Sequence, residues 1–336
     1  MLTRPKEIRF EATRHCNCQC FFCHNKNTFA KDGRQGKNDL DTSQSKLIID
    51  KVANEGIKQI RFTGGEPLMR KDIFELIRHA KSRGLQVRIN TNGTLVDSEV
   101  AKKLASDVDM VLISLPTIGE KENDIQTGFP GGFARKLRAI QLLKNRKKDF
   151  LWACTVATKK NINELEKVAD QAYNLGVDYW FCLRQIPTPQ NKITYVGDDC
   201  AQLIEKLTAI KDKFADKYGD GEVLNNPFPF CAIGDEEKAA VVCSGAFYGE
   251  GHSTLIIDPE GNILADYAYG EIMGNVFNDS IIETWNSANV RKFREYGLLP
   301  IECKQCKWLD KCKGGSRVAS YIVSGDLAGK DPLMRH

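Results

Sequence analysis

The sequence lacks any run of about 18 consecutive apolar residues, so no membrane-spanning helix is expected. Met1 to Phe10 is charged and has no apolar core of the kind that marks a secretory signal. No long block of lysine and arginine occurs, and the net charge is only +4 over 336 residues. Neither nucleic acid nor an anionic membrane is therefore expected as a partner. The densest basic run, Lys144-Asn145-Arg146-Lys147-Lys148, falls at an expected helix end, where cations meet the negative pole of the helix dipole. The five histidines stand at 15, 24, 79, 252 and 336 and form no metal-binding pair.

Cysteine is abundant: the chain has twelve. With no export signal, that number points to a reducing compartment, the cytoplasm, and to metal or catalytic use rather than a disulfide framework. With 42% hydrophobic residues the chain can bury a sizeable core, as one large or two smaller domains. The densest group is Cys16-Asn17-Cys18-Gln19-Cys20-Phe21-Phe22-Cys23. Cys16, Cys20 and Cys23, with three and two residues between them, form a soft thiolate set suited to an iron–sulfur cluster, copper(I) or zinc. On a cuboidal 4Fe–4S cluster, three protein ligands leave one iron open. A zinc knuckle closed by a fourth thiol, His15 or His24 is the alternative.

Strand and helix patterns alternate along the first two thirds of the chain. Alternating residues over Glu7–Ala12 suit a strand that leads into the cysteine loop. Residues 24–43 read as a long mobile loop, and Thr42 or Ser43 as the cap of a helix over 44–55 with the stripe Leu47, Ile48, Val52. Strands follow at 59–63, 86–90, 110–115, 150–157 and 179–186. Helices are expected at 71–83, 97–105, 132–147, 162–175 and 199–218. Such alternation gives parallel βαβ units, which the spacing alone places either in a barrel or in a doubly wound sheet. The cysteine loop, Gly64-Gly65-Glu66-Pro67, Asn92 and Ser114 all follow strand C-terminal ends, where barrels carry their functional residues. Pro187, Pro189, Pro227 and Pro229 flank the last of these helices, and a domain boundary is placed near 225, giving domains 1–225 and 226–336. Beyond it lie a hairpin over Leu255–Leu264 around a Pro/Gly turn, a helix over 279–296, and a cysteine-rich tail.

Cys16-x3-Cys20-x2-Cys23 after a short strand, followed at the next strand end by Gly64-Gly65-Glu66-Pro67, resembles the radical S-adenosylmethionine (SAM) enzymes over residues 7–187. The resemblance implies a (β/α)6 partial barrel. It implies a 4Fe–4S cluster on Cys16, Cys20 and Cys23, with the cofactor's methionine end chelating the open iron. Reductive cleavage of SAM then yields a 5′-deoxyadenosyl radical that takes a hydrogen atom from substrate. Phe22 matches the aromatic position beside the adenine, and Asn92 and Ser114 match positions that hold ribose and carboxylate. Gly64 and Gly65 let backbone approach a ligand closely. Glu66 is expected to accept from the methionine ammonium, and Arg184 to meet a carboxylate of cofactor or substrate. Cys18 matches no ligand position.

Cys303-x2-Cys306-x5-Cys312, Gly314-Gly315-Ser316-Arg317, Gly274-Asn275-Val276 and Ile282-Glu283-Thr284-Trp285-Asn286, with Cys243 upstream, resemble the SPASM extension of these enzymes and its shorter "twitch" form. Three positions depart from the SPASM pattern: Asp266, Ser316 and Met334 stand where cysteines are usual. One auxiliary cluster is therefore expected on Cys303, Cys306 and Cys312, its fourth ligand coming from Cys243, Cys231, an oxygen group such as Asp266, or substrate. A structural zinc on Cys243, Cys303, Cys306 and Cys312 is the alternative. Cys154 and Cys182, in barrel strands, suit small buried hydrophobes. An epimerising enzyme would instead need a hydrogen-donating thiol, for which Cys182, Cys231 and Cys18 are candidates.

The resemblance implies a peptide-modifying enzyme that crosslinks, epimerises or decarboxylates a ribosomal peptide. An enzyme acting on a small molecule such as a sugar, nucleoside or cofactor precursor is the second expectation. No peptide-binding domain is visible before Glu7. A zinc-stabilised binding protein is the non-enzymatic reading. A flavodoxin or ferredoxin is the expected electron donor.

Overall fold

Residues 2–23, 39–144, 146, 149–188, 191, 192, 194, 195, 198–243 and 251–335 are described by the structure, a computed structural model. His24 with most of the loop 24–43, Asn145, Lys147, Lys148 and Pro189 lie outside the described residues.

Strands form where apolar residues recur at every second position. β1 (Glu7–Thr13), β2 (Gln59–Gly64), β3 (Gln86–Thr91), β4 (Met110–Ser114), β5 (Leu151–Ala157) and β6 (Tyr179–Arg184) pair in parallel in the order β6-β5-β4-β3-β2-β1. In β1, Ile8, Phe10 and Ala12 are fully buried. They share one apolar cluster with Ile60 and Phe62 of β2, Val87 and Ile89 of β3, Val111 and Ile113 of β4, Ala153 of β5 and Trp180 of β6. The helices α1 (Thr42–Asn54), α2 (Ile73–Ser82), α3 (Ser98–Asp107), α5 (Gly132–Leu143), α6 (Leu165–Asn174) and α7 (Asp199–Lys213) complete that cluster, while the polar helix α4 (Glu120–Thr127) adds nothing to it. This is the mostly parallel partial barrel that the resemblance implied.

The other face of the same strands is polar. Parallel register sets Arg9 beside Arg61, and Arg61 beside Arg88, as a row across β1, β2 and β3. Glu7 gathers the row: Arg61 grips its carboxylate through Nε and Nη2, each at 2.9 Å, while Arg88 lies 3.4 Å and Arg9 3.6 Å away. Trp152, Cys154, Tyr179 and Phe181 alternate with core residues on β5 and β6, so they share this face.

β7 (Thr254–Ile257) extends the sheet beyond β1 in parallel, and β8 (Asn262–Leu264) and β9 (Ile272–Asn275) follow antiparallel, making nine strands among the described residues. The hairpin is thus bound to the barrel's first strand. At its turn the Asp258 carboxylate accepts from the backbone N–H groups of Glu260 and Asn262, and Gly261 takes φ +83°, which favours glycine. Beyond the hairpin come α8 (Ile281–Asn286) and α9 (Ala288–Arg294), which divide the expected helix 279–296 at Ser287, and then α10 (Arg317–Ser324).

Several local expectations change. Asp41, not Thr42 or Ser43, caps α1, in a reciprocal box with Gln44. The buried stripe of α1 is Ile48, Ile49 and Val52, while Leu47 is 59% exposed. α5 stops at Leu143 rather than 147. Among the described residues, no helix is long and apolar enough to cross a membrane.

Candidate functional site

The loop after β1 carries Cys16, Cys18, Cys20 and Cys23 past the C-terminal edge of the sheet. Backbone hydrogen bonds tie it to α4, from Gln19 N–H to Thr127 O (2.7 Å) and from Phe21 N–H to Gln126 O (3.1 Å). On its other side lies the turn after β2, where Gly65 N–H donates to Thr13 O and Glu66 N–H to His15 O. A Cβ on Gly64 would collide with Thr13 O, and one on Gly65 with His15 O. These glycines thus let the turn lie close against the end of β1 and the start of the cysteine loop. Pro67 opens the short 3-10 turn Pro67–Met69 behind them.

Glu66 is fully buried beneath this turn. Its carboxylate accepts from Thr91 Oγ1 (2.8 Å), Asn92 N–H (2.6 Å) and Leu68 N–H (3.1 Å). Through these partners Glu66 braces the turns after β2 and β3 against each other. Burial pushes its carboxyl up to about 7, against the pull of those hydrogen bonds. The folded chain holds this proton to higher pH than the unfolded chain, where the ordinary value is 4.5. Stability should therefore fall as pH rises from about 4.5 to about 7. Glu66→Gln is expected to flatten that part of a urea-midpoint profile; an unchanged slope would show that Glu66 is not its source.

Asn92 joins the same network. Its side-chain amide donates to Asn17 Oδ1 in the cysteine loop (2.8 Å), and Asn17 donates in turn to Thr94 Oγ1 (2.8 Å). Ser114 ends β4, paired with Cys154 of β5. Phe22 is half-buried and packs edge-on against Phe21, ring centroids 5.3 Å apart, while Lys160 lies over Phe21.

Lys136 was not singled out by its sequence context. It sits on α5, 1% exposed, and its ammonium donates to Asn92 O at 2.7 Å. Desolvation lowers its pKa, opposed by the facing groups Cys18, Cys20, Glu66 and Cys16. Hydrogen bonds from Cys18, and then the Asn92 amide and the Lys136 charge, pull the Cys16 thiol down to about 6. Cys18, which matches no ligand position, is buried between Cys16 and Cys20, and contact with both thiols pushes its own pKa up. The donor set is thus soft thiols on one loop beside a buried cation, a setting that favours thiolate. Among the described residues, no three histidine, cysteine, aspartate or glutamate side chains converge to hold a single metal ion. Thiolates beside a cation are the donors that an iron–sulfur cubane takes at its corners. The cysteine loop fits a cluster.

The second cysteine group lies in the tail. Cys303 ends a 3-10 turn, Cys306 N–H donates to Cys303 O, and Cys312 ends a single helical turn. Cys243 lies on a different element. It is fully buried at the end of the helix Glu236–Val242, its thiol 3.8 Å from Asn226 O. Asp266 accepts from Ala268 N–H within its own loop, and Ser316 caps α10 through Ala319 N–H. Cys231, by contrast, lies within electrostatic reach of Cys312 and Cys303.

Two further expectations are corrected. Arg184 meets no open site: its fully buried guanidinium donates to Asp331 Oδ1 (3.1 Å) and Oδ2 (2.5 Å) and to Pro227 O (2.5 Å). Cys182 is fully buried among the core residues on the helix side of β6, which removes it as a hydrogen donor to substrate. The barrel cysteine on the polar face is Cys154, beside Arg61.

A partial barrel with a thiol-rich loop at its C-terminal edge, extended by a second thiol-rich module, is the framework of a redox-cluster enzyme. This chain is a member of the radical SAM superfamily, whose family model matches residues 10–172, and it carries an iron-sulfur cluster-binding domain, matched over residues 249–307. Its cofactors are accordingly a 4Fe–4S cluster with SAM, and an auxiliary iron–sulfur cluster. The AdoMet-dependent heme synthase of Methanosarcina barkeri is 27% identical over 99% of this chain and 97% of its own length. The PqqA peptide cyclase of Bradyrhizobium diazoefficiens is 26% identical over 98% of this chain and 85% of its own. Streptococcus suis SuiB shares the fold. Its structure bound to SAM matches with a TM-score of 0.79 at 18% identity, covering 100% of this chain and 78% of SuiB. Its structure with precursor peptide SuiA matches at 0.75, covering 77% of SuiB.

Proposed function

We propose that this radical SAM enzyme removes a hydrogen atom from a ribosomally made peptide and so crosslinks, epimerises or decarboxylates it. Cys16, Cys20 and Cys23 hold the SAM-binding cluster in this reading. Phe22, the Gly64-Gly65-Glu66-Pro67 turn, Asn92 and Ser114 shape the place of the cofactor. Bound there, cluster and SAM supply the electron and the 5′-deoxyadenosyl radical. The chain's own contribution is position and charge: Glu66 locks two strand-end turns, Asn92 and Asn17 fix the cysteine loop, and Lys136 places a positive charge beneath the thiols. Residues 1–225 form the barrel domain and 226–336 the auxiliary-cluster domain. The enzyme works in the cytoplasm with a flavodoxin or ferredoxin as electron donor.

The observation that carries the reading is the match over 98% of the chain to a peptide cyclase. It is tested by anaerobic incubation with SAM, dithionite and any short peptide found encoded beside the gene. A mass change or D-residue in the peptide, with faster 5′-deoxyadenosine release, is expected. An unaltered peptide would contradict it.

A second reading, action on a carboxylate-bearing cofactor precursor, has its own support. The heme synthase relative matches over 97% of its length, and the arginine row on the polar face presents guanidinium groups suited to carboxylates. Arg88 Nε and Trp152 Nε1 on that face are buried without a hydrogen-bond partner. On either reading the substrate brings an anionic group to this row. Arg88→Met is expected to raise KM about 10- to 100-fold, the value of a charged hydrogen bond, while substrate-free SAM cleavage stays unchanged. An unaltered KM would remove the row from substrate binding.

A further inference from the structure

The auxiliary site has three thiols from one short segment, and in this chain the usual cysteine positions that could supply a fourth carry Asp266, Ser316 and Met334. None of them is a thiol. Ser316 is fully buried as the cap of α10, its N–H given to Asp331. Asp266 accepts from Ala268 N–H within its own turn. Methionine offers only a neutral thioether, a poor substitute for thiolate on iron.

The structure brings another thiol to the same place. Cys231 lies in the 3-10 turn Phe230–Ala232, and this turn is fastened to the cysteine segment at two points. Phe230 N–H donates to Cys312 Sγ at 3.5 Å, and the Phe230 ring meets Trp308, between Cys306 and Cys312, edge-on at 5.9 Å. The residue after Phe230 is thereby held beside Cys312. The Cys231 thiol lies within electrostatic reach of Cys312 and Cys303, and Cys303 within reach of Cys306. A backbone hydrogen bond from Arg335 also reaches Cys231, so the terminal segment that follows Met334 runs directly against it. Cys231 therefore stands next to the place where a terminal cysteine is missing, and it is only partly buried, whereas Cys243 is sealed in the core.

We propose that Cys231 is the fourth thiolate of the auxiliary iron–sulfur cluster, completing Cys303, Cys306 and Cys312. Four protein thiolates leave no iron open at this second cluster, which assigns it to electron transfer and not to substrate binding. Each thiol gives its proton to solvent as it binds iron. The proposal rests on the family assignment and not on the identity of the substrate, so it stands or falls apart from the peptide reading.

The test uses the full chain with Cys16, Cys20 and Cys23 all replaced by alanine, reconstituted anaerobically with iron and sulfide. About four irons per chain are expected, as one 4Fe–4S cluster, with its own electron paramagnetic resonance (EPR) signal when reduced. Adding Cys231→Ala should lower the iron content and change that signal, while adding Cys243→Ala should leave both alone. Should the Cys231 variant fail to fold, alkylation of the loaded protein answers the same question. Cys231 should resist iodoacetamide until a chelator strips the iron, and then react together with Cys303, Cys306 and Cys312. Full iron and an unchanged signal without Cys231, labelling of Cys231 in the loaded chain, or zinc in place of iron would each overturn the assignment.

Discussion

Replacing Cys20 with alanine is expected to abolish 5′-deoxyadenosine formation while the fold survives. Cys20 is only partly buried and lies outside the apolar cluster. Its structural bond to Cys23 runs from backbone N–H to backbone oxygen and does not need the thiol. A side chain so placed contributes little to stability, within about 0.5 kcal/mol. Its loss from a three-thiol set removes one of the ligands that hold the cluster, and with it the electron delivered to SAM. Chromatographic measurement of 5′-deoxyadenosine from dithionite-reduced protein, with circular dichroism as the control for folding, checks both halves. Persistent product from folded Cys20→Ala protein would refute the ligand assignment.

The largest stability effect is expected at Arg184. The Arg184–Asp331 pair is fully buried on both sides and ties the sixth strand to the terminal segment 147 positions later. Removing one partner leaves the other charge desolvated, a loss of about 3–5 kcal/mol. Arg184→Ala should therefore shift the urea midpoint strongly. Asp331 also receives N–H groups from Ser316 and Leu333, so the double variant Arg184→Ala/Asp331→Ala should lose clearly less than the sum of the singles. A single-variant loss under about 1 kcal/mol, the range of exposed ion pairs, would contradict the role given to this pair.

The alternating strands and helices were legible because their information is local, while the choice of a barrel over a doubly wound sheet came from the family resemblance. Period-two apolar residues marked Ile8, Phe10, Ile60 and Phe62 as one strand face, and the cysteine spacing marked the loop that follows. What escaped depends on tertiary placement. α4, with the polar sequence Glu120–Thr127, has no apolar stripe to announce it; it is held by its left-handed Gly128 cap and by the cysteine loop that bonds to its last residues. Lys136 reads as one more cation on a basic helix, and only the packing of α5 under the loop turns it inward. Cys154 and Cys182 look alike in sequence, yet strand parity sends one to the polar face and the other to the core. Arg184 was drawn to the open site by its strand-end position, but its partner is an aspartate that no local pattern connects to it. Cys231 shows no spacing relation to the tail cysteines and reaches them only through the Phe230 turn.

The central claim, that the cysteine loop holds a cluster with one iron open to SAM, is tested most directly by EPR of the reduced, anaerobically purified protein before and after SAM is added. The account predicts a brown protein with thiolate-ligated cluster absorption near ~400 nm and a cluster signal that SAM shifts, an effect lost in Cys20→Ala. A colourless zinc protein, or a cluster signal indifferent to SAM, would contradict it.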